Sequence, residues 1–345
     1  MTAVVLRADA SASVGTGHVM RCLALAQALA AAGGRAVLAV AECPEPLVER
    51  ARGAGVHVER LDAEVGSADD VAATLEVAAT VGAPWVLLDG YRFGLDVQRA
   101  LRNGGRRVAL VDDFGHLDGY DVELLLNQNS HAQASAYPGV PTCLVGPRYA
   151  LLRPEFVRAV EGRPAARVDG PARRVLVTMG GSDPGNATTR VLEALARVPS
   201  EGLEVRAVVG AANPHGAQVA AAASALDRCE VIAPVEDMVP LLDWADLAVC
   251  AGGSTLWEMA ALGVPVACVV VADNQAPIAV DLERRGMVAH LGWDRDLEPE
   301  ACAQTLAALL SDGERRAAMA AVGRGLVDGR GAARVAAALG AGSAS

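Results

Sequence analysis

The sequence predicts an α/β protein made of two doubly wound parallel-sheet domains facing a cleft. Three observations predict it. Short runs rich in Val and Leu alternate with alanine–leucine helical runs from end to end, as strands buried on both faces beneath crossover helices do. The 345 residues exceed one ordinary domain. The alternation also breaks once, over a Pro-, Arg- and Gly-rich stretch at 146–174, and then restarts. With 52% hydrophobic residues and only 3% aromatic, the cores must be built from Ala, Val and Leu.

In the first half, strands are expected at 3–9, 36–42, 56–61, 85–90, 106–113 and 122–128, with amphipathic stretches at 18–32, 67–80 and 95–103 among them. The domain boundaries follow as residues 1–160, a linker at 161–173, and residues 174–345. Strands of the second half are expected at 174–183, 203–210, 229–235, 247–254, 264–271 and 287–292, and the tail 298–340 reads as helices. Ligands of open α/β sheets bind beyond the C-terminal ends of strands. The glycine-rich turns lie at such ends.

Composition excludes several functions. The formal net charge is -11 and every cation is arginine, so no nucleic-acid partner is expected. An anionic ligand must then be held by backbone donors and single arginines. Seven cysteines, at 22, 43, 143, 229, 250, 268 and 302, form no C-x-x-C pair and read as buried, reduced thiols. The opening "MTAVVLRADAS" does not read as a signal peptide, and no run of ~18 apolar residues spans a membrane. A soluble, cytoplasmic protein without membrane insertion is expected. No His/Asp/Cys cluster has metal-ligand spacing, and G-x-S-x-G and G-K-[ST] are absent, so neither metal nor cofactor is called for.

The chemistry concentrates in glycine turns. "GTGHVMR" places Gly15 and Gly17 before a helix with His18 in its first turn. Bare N–H groups there suit an anion, and the helix dipole disfavours a cation, so the imidazole is positioned as a base. The partial match to G-x-G-x-x-G is weakened by Arg21 in place of the third glycine and by a long approach from the strand. Arg21 is counted instead among the substrate-binding residues. "TMGGSDPGN" follows a strand with Gly180 and Gly181, then Ser182 or Asp183 as helix cap and Pro184 near the first helical position. "AGGSTLWE" offers Gly252, Gly253, Ser254 and Thr255 to a diphosphate, with Glu258 either binding ligand or closing a capping box. Asn274 and Gln275, just after a strand, carry amides suited to sugar hydroxyls. Asp89, Tyr91 and Arg92 lie at the mouth of one first-half strand, Asp112 and Asp113 at the end of the next. The D-x-D at Asp294 and Asp296 reads as solvated surface.

Together, "RADAS…GTGHVMRCLALAQAL", "DGY", "GGSDPGNAT", "DMVPLLDWADLAVCAGGSTLWEMAALGVP" and "DNQ" resemble the nucleotide-sugar hydrolases of the pseudaminic acid pathway. These act on UDP-2,4-diacetamido-2,4,6-trideoxy-β-L-altropyranose and are related to spore-coat polysaccharide proteins. The resemblance runs over about residues 3 to 295. It implies the GT-B type of fold, two Rossmann-like domains, also seen in the N-acetylglucosaminyltransferase that makes lipid II. It further implies metal-independent hydrolysis with inversion at the anomeric carbon, UDP-sugar being the partner. His18 would activate water, with Gly17 beside the sugar and diphosphate. Tyr91 and Asn274 would contact diphosphate and sugar, Gly253, Ser254 and Thr255 the diphosphate, and Glu258 the ribose. Backbone from Val235 to Met238 would border uracil. Gly90 stands where the family leads one to expect a bulkier residue. A glycosyltransferase sharing fold and donor is the alternative.

Overall fold

Thirteen strands form two sheets among the described residues of a computed structural model, which describes residues 2–11, 14–163, 170–199, 201–210 and 212–341. Most of the expected linker, 164–169, lies outside the described residues. The first sheet contains β1 (Ala3–Ala8), β2 (Arg35–Val40), β3 (His57–Arg60), β4 (Trp85–Asp89), β5 (Arg107–Val111), β6 (Leu124–Asn127) and β7 (Thr142–Val145). Its order is β3-β2-β1-β4-β5-β6-β7, and every pairing is parallel.

The second sheet contains β8 (Arg174–Thr178), β9 (Glu204–Val208), β10 (Cys229–Ile232), β11 (Leu247–Ala251), β12 (Val266–Val270) and β13 (Val288–Trp293). Its order is β10-β9-β8-β11-β12-β13, again all parallel. Both sheets are doubly wound, and each reverses direction once, between β1 and β4 and between β8 and β11. The fold is the expected pair of Rossmann-like domains.

Alternation along the strands explains their near-continuous apolar runs. In the first sheet Val4, Leu6, Trp85 and Leu87 face the helix Gly17–Ala31, and Val5, Val86, Leu88 and Leu110 face the opposite layer. Both faces are covered, so neither needs polar residues. The second unit repeats the arrangement around Val175, Val177, Val249 and Val269.

Three features depart from the sequence reading. β7, four residues framed by Pro141 and Gly146, was not among the expected strands. A helix, Pro154–Val160, occupies part of the Pro- and Arg-rich stretch. The tail is divided: the compact units are residues 1–157 with 329–345, and 158–328. The helix Gly331–Ala341 returns to the first unit, where Val335 and Leu339 join the core beside Val4 and Leu25. Gly331 makes that return possible, since a Cβ there would stand 2.2 Å from the Ala150 carbonyl oxygen. Assigning residues 174–345 to a single second domain is corrected accordingly. All seven thiols are free; Cys22, Cys250, Cys268 and Cys302 are buried and the other three half-buried. No helix among the described residues is long and apolar enough to cross a membrane.

Candidate active site

In each unit the glycine turns flank the point where the sheet reverses, which is where such sheets bind ligands. The "GTGH" turn follows β1 and the Asp89–Tyr91 segment follows β4, and these strands pair side by side with Ala8 opposite Asp89. Period-2 alternation carries Asp89 to the same face as Trp85 and Leu87, the face covered by the helix Gly17–Ala31. His18 and Arg21 stand one helical turn apart on that helix and meet it there.

The result is a buried polar cluster. Asp89 is 0% exposed and His18 5%. The His18 Nδ1 lies 2.6 Å from Asp89 Oδ1. A carboxylate only accepts, so Nδ1–H donates and the lone pair of the neutral ring falls on Nε2. Nε2 has no hydrogen-bond partner among the described residues. Arg21 donates from Nε to Asp89 Oδ2 at 2.6 Å and from Nη2 to Oδ1 at 2.5 Å, a bidentate pair. Its Nη1 donates to Asp113 Oδ1 at 2.7 Å. The Tyr91 hydroxyl donates to Asp113 Oδ2 at 3.0 Å, and Asn129 Nδ2 to the Asp113 carbonyl at 2.8 Å.

These contacts decide the charges. Burial alone would raise the Asp89 carboxyl, but Arg21 and then His18 outweigh it and hold it at about 2. Asp113 is likewise lowered, burial again being overcome by Arg21. Burial and then Asp113 raise the Tyr91 phenol, and burial and then Asp89 raise the Cys22 thiol well above its ordinary value. Cys22 Sγ, 3.6 Å from Asp89 Oδ2, is therefore a protonated donor. Two carboxylates, Asp89 and Asp113, face the one guanidinium of Arg21.

Arg21 and Asp89 were expected at the substrate; both are buried, with their polar atoms engaged by each other, His18 and Asp113. Gly17 has open space where a Cβ would stand, and no side chain caps the helix it begins. A Cβ at Gly90 would meet the ring of buried Phe93 at 3.0 Å, so a bulkier residue there would press on the core.

A second buried network was not singled out in the sequence. Arg7 donates from Nε and Nη2 to Asp70 at 2.7 and 2.9 Å and from Nη1 to Asp9 at 2.7 Å. Asp9 Oδ1 in turn accepts the N–H groups of Ala41 and Glu42. This network pins the ends of β1 and β2, from which the His18 turn departs. The only sequence signal was a charged "RAD" inside an apolar strand.

In the second unit, the "GGST" turn after β11 is braced by Gln275, whose Oε1 accepts from Gly252 N at 3.1 Å and Val271 N at 3.0 Å. A Cβ at Gly252 would lie 2.9 Å from Gln275 Cβ, so only glycine fits. The helix Thr255–Leu262 begins there with Ser254 as cap, and no side chain closes the cap. The Ser254 half of a capping box is therefore unmade. Among the described residues the backbone N–H groups of Gly253, Ser254 and Thr255 have no partner. Three consecutive donors at a helix start have the chemistry that suits an anion. Glu258 is half-buried in the first turn of that helix.

The "GGSD" turn differs from its expected form. Its helix begins at Ala187, not near Pro184. Asp183, at φ 43°, accepts from Ala187 N at 2.8 Å and Thr188 N at 3.0 Å, so a carboxylate already fills that helix start. Gly181 and Ser182 are half-buried in this turn. Asn274 shares a single helical turn with Gln275, and Val235 and Met238 follow β10 at the sheet edge. The D-x-D splits: Asp294 is buried against Gly185, and Asp296 faces solvent. Among the described residues no three His, Cys, Asp or Glu gather as a ligand set.

Residues 175–328 match the glycosyltransferase family 28 C-terminal domain. The chain is 31% identical over 195 residues to the spore coat polysaccharide biosynthesis protein SpsG of Bacillus subtilis strain 168, covering 56% of this chain and 57% of that protein. It thus spans little more than half the length of that relative. It is 21% identical over 292 residues to the UDP-2,4-diacetamido-2,4,6-trideoxy-β-L-altropyranose hydrolase of Campylobacter jejuni, covering 82% of this chain and 97% of the relative. Among solved structures, MurG of Acinetobacter baumannii superposes with a TM-score of 0.67 at 18% identity, over 99% of this chain and 100% of that one. By its architecture the chain has the GT-B fold, and its second unit matches the C-terminal domain of glycosyltransferase family 28.

Proposed function

We propose that the chain is a UDP-sugar hydrolase. Water attacks the anomeric carbon, the carbon–oxygen bond to UDP breaks with its electrons on the UDP oxygen, and the sugar leaves with inverted configuration. The observation that carries this reading is His18, its Nδ1 held by Asp89 and its Nε2 without a hydrogen-bond partner among the described residues. Nε2 takes the proton of the attacking water, a step worth roughly 10²–10⁴-fold. The N–H groups of Gly253, Ser254 and Thr255 meet the diphosphate as charge builds on it, so UDP departs without a protein acid or a bound metal.

Gly17 borders the diphosphate, Tyr91 and Asn274 contact diphosphate and sugar, Glu258 takes the ribose hydroxyls, and Val235 to Met238 border uracil. Gly181 and Ser182 line the same side of the second sheet, and Gln275 acts by holding the diphosphate turn. Arg21 and Asp89 hold the base. The name of the Campylobacter relative supports hydrolysis of a diacetamido-trideoxy sugar for pseudaminic acid synthesis, and that of the Bacillus relative supports polysaccharide synthesis. Action as a soluble cytoplasmic enzyme completes the reading. The match of residues 175–328 favours a second reading, a glycosyltransferase with the same donor.

Incubation with a panel of UDP-sugars, no acceptor and excess EDTA separates these readings. UDP release at the rate seen without chelator is expected. Turnover that begins only when a lipid or sugar acceptor is added would make the protein a transferase. Loss in EDTA, restored by Mg²⁺, would contradict the metal-independent route.

A further inference from the structure

The Nη2 nitrogen of Arg21 carries two protons and faces three atoms that could take them. It lies 2.5 Å from Asp89 Oδ1, 3.2 Å from Asp113 Oδ2 and 3.1 Å from His18 Nδ1. Two proton patterns compete in this corner. In one, Nη2 donates to both carboxylates and the His18 Nδ1–H donates to Asp89 Oδ1 at 2.6 Å. In the other, Nη2 donates to Asp89 and to a bare Nδ1, and the ring carries its proton on Nε2. Only the first leaves a lone pair on Nε2.

Asp113 separates the two patterns. It is buried just beyond β5, and it is fixed from three sides: by Arg21 Nη1 on Oδ1, by the Tyr91 hydroxyl on Oδ2, and by Asn129 Nδ2 on its carbonyl. Arg21 outweighs burial and keeps the side chain ionised, so both of its oxygens accept. As an ionic partner alone Asp113 is redundant. Arg21 already has a bidentate partner in Asp89, and burying a second carboxylate carries a desolvation cost. What Asp113 adds is an acceptor for the second Nη2 proton, the one that otherwise points at Nδ1.

We propose that Asp113 is a positioning residue that sets the tautomer of His18. By taking the second proton of Arg21 Nη2 it keeps that proton off Nδ1, so the ring proton stays on Nδ1 and Nε2 stays the basic nitrogen. The use made of that nitrogen rests on the UDP-sugar reading, whereas the tautomer is a property of the cluster alone. An amide at position 113 offers one acceptor oxygen in place of two and adds a donor. Nη1 is the nearer of the two Arg21 nitrogens, at 2.7 Å against 3.2 Å, so the amide keeps Nη1 and releases Nη2 towards the imidazole.

Nitrogen NMR of the full chain with ¹⁵N-labelled histidine, at alkaline pH where imidazole is neutral, reads the tautomer, because protonated and bare ring nitrogens resonate far apart. The signals of His18 are those missing from His18→Asn. The wild type is expected to show a protonated Nδ1 and a bare Nε2. Asp113→Asn should move the ring proton to Nε2 in most molecules and lower kcat about tenfold, with KM and UDP affinity unchanged. Asp113→Glu, which restores two acceptors, should recover the Nδ1–H form. General damage to the fold would lower kcat without moving the ring proton. Wild-type nitrogen shifts in Asp113→Asn overturn the proposal, as does a bare Nδ1 in the wild type. Should Asp113→Asn not fold, Asn129→Ala frees the Asp113 carbonyl and should populate the Nε2–H form in part; a pure Nδ1–H form there overturns the proposal. The expected nitrogen shifts in a wild type that releases UDP from no sugar would overturn the hydrolase reading alone.

Discussion

Replacing His18 with asparagine should lower kcat by roughly two to four orders of magnitude while UDP binds as before. Asparagine keeps a donor for Asp89 but supplies no basic nitrogen where Nε2 stands. The proposed diphosphate donors, Gly253, Ser254 and Thr255, belong to the second unit and are untouched by the change. Steady-state kinetics with UDP calorimetry on the same preparation reads both quantities. Turnover near that of the wild type would remove His18 from the mechanism.

Asp89→Asn should be nearly as damaging, for a different reason. An amide cannot accept from His18 and from two nitrogens of Arg21 at once, so the ring loses its orientation and Arg21 keeps only Asp113 as an ionic partner. A fall in kcat of roughly 10²- to 10⁴-fold is expected from the misplaced imidazole. Stability should fall by roughly 3 kcal/mol, because a buried guanidinium is left half-compensated. The acid limb gives an independent signature. With Asp89 held at about 2 in the folded state, its contribution is complete above the unfolded value near 4 and is lost as pH falls towards 2. That contribution is about 2 kcal/mol, and urea melts of the variant should lack it. Wild-type kinetics together with a wild-type acid limb would show that Asp89 neither holds the base nor pairs in the buried cluster.

Local chemistry was legible in the sequence where it depends on neighbours along the chain. "GTGH" and "GGST" announce helix starts because glycine pairs and small polar residues behave alike in any context. Twelve of the strands were expected from their apolar runs, but β7 has four residues between a proline and a glycine, too few for periodicity to show. Contacts across long separations were hidden. His18 and Asp89 are 71 residues apart and meet only because β1 pairs with β4. For the same reason the sequence does not show that Asp89 and Arg21 pair with each other, with His18 and with Asp113. The return of Gly331–Ala341 to the first core is another such case, since nothing within that alanine-rich helix says which sheet it covers. Asp183 shows the limit of spacing rules: its left-handed backbone moves the helix start to Ala187, which no cap motif encodes.

The position of the new oxygen tests the proposed reaction most directly. Turnover of the UDP-sugar in H₂¹⁸O without an acceptor, followed by mass spectrometry of both products, reads which bond water attacks. Attack at the anomeric carbon places the label on the free sugar and leaves UDP unlabelled, and that is the expected result. Label in the phosphate of the nucleotide or of a phosphosugar would mean attack at phosphorus and would contradict the role assigned to His18.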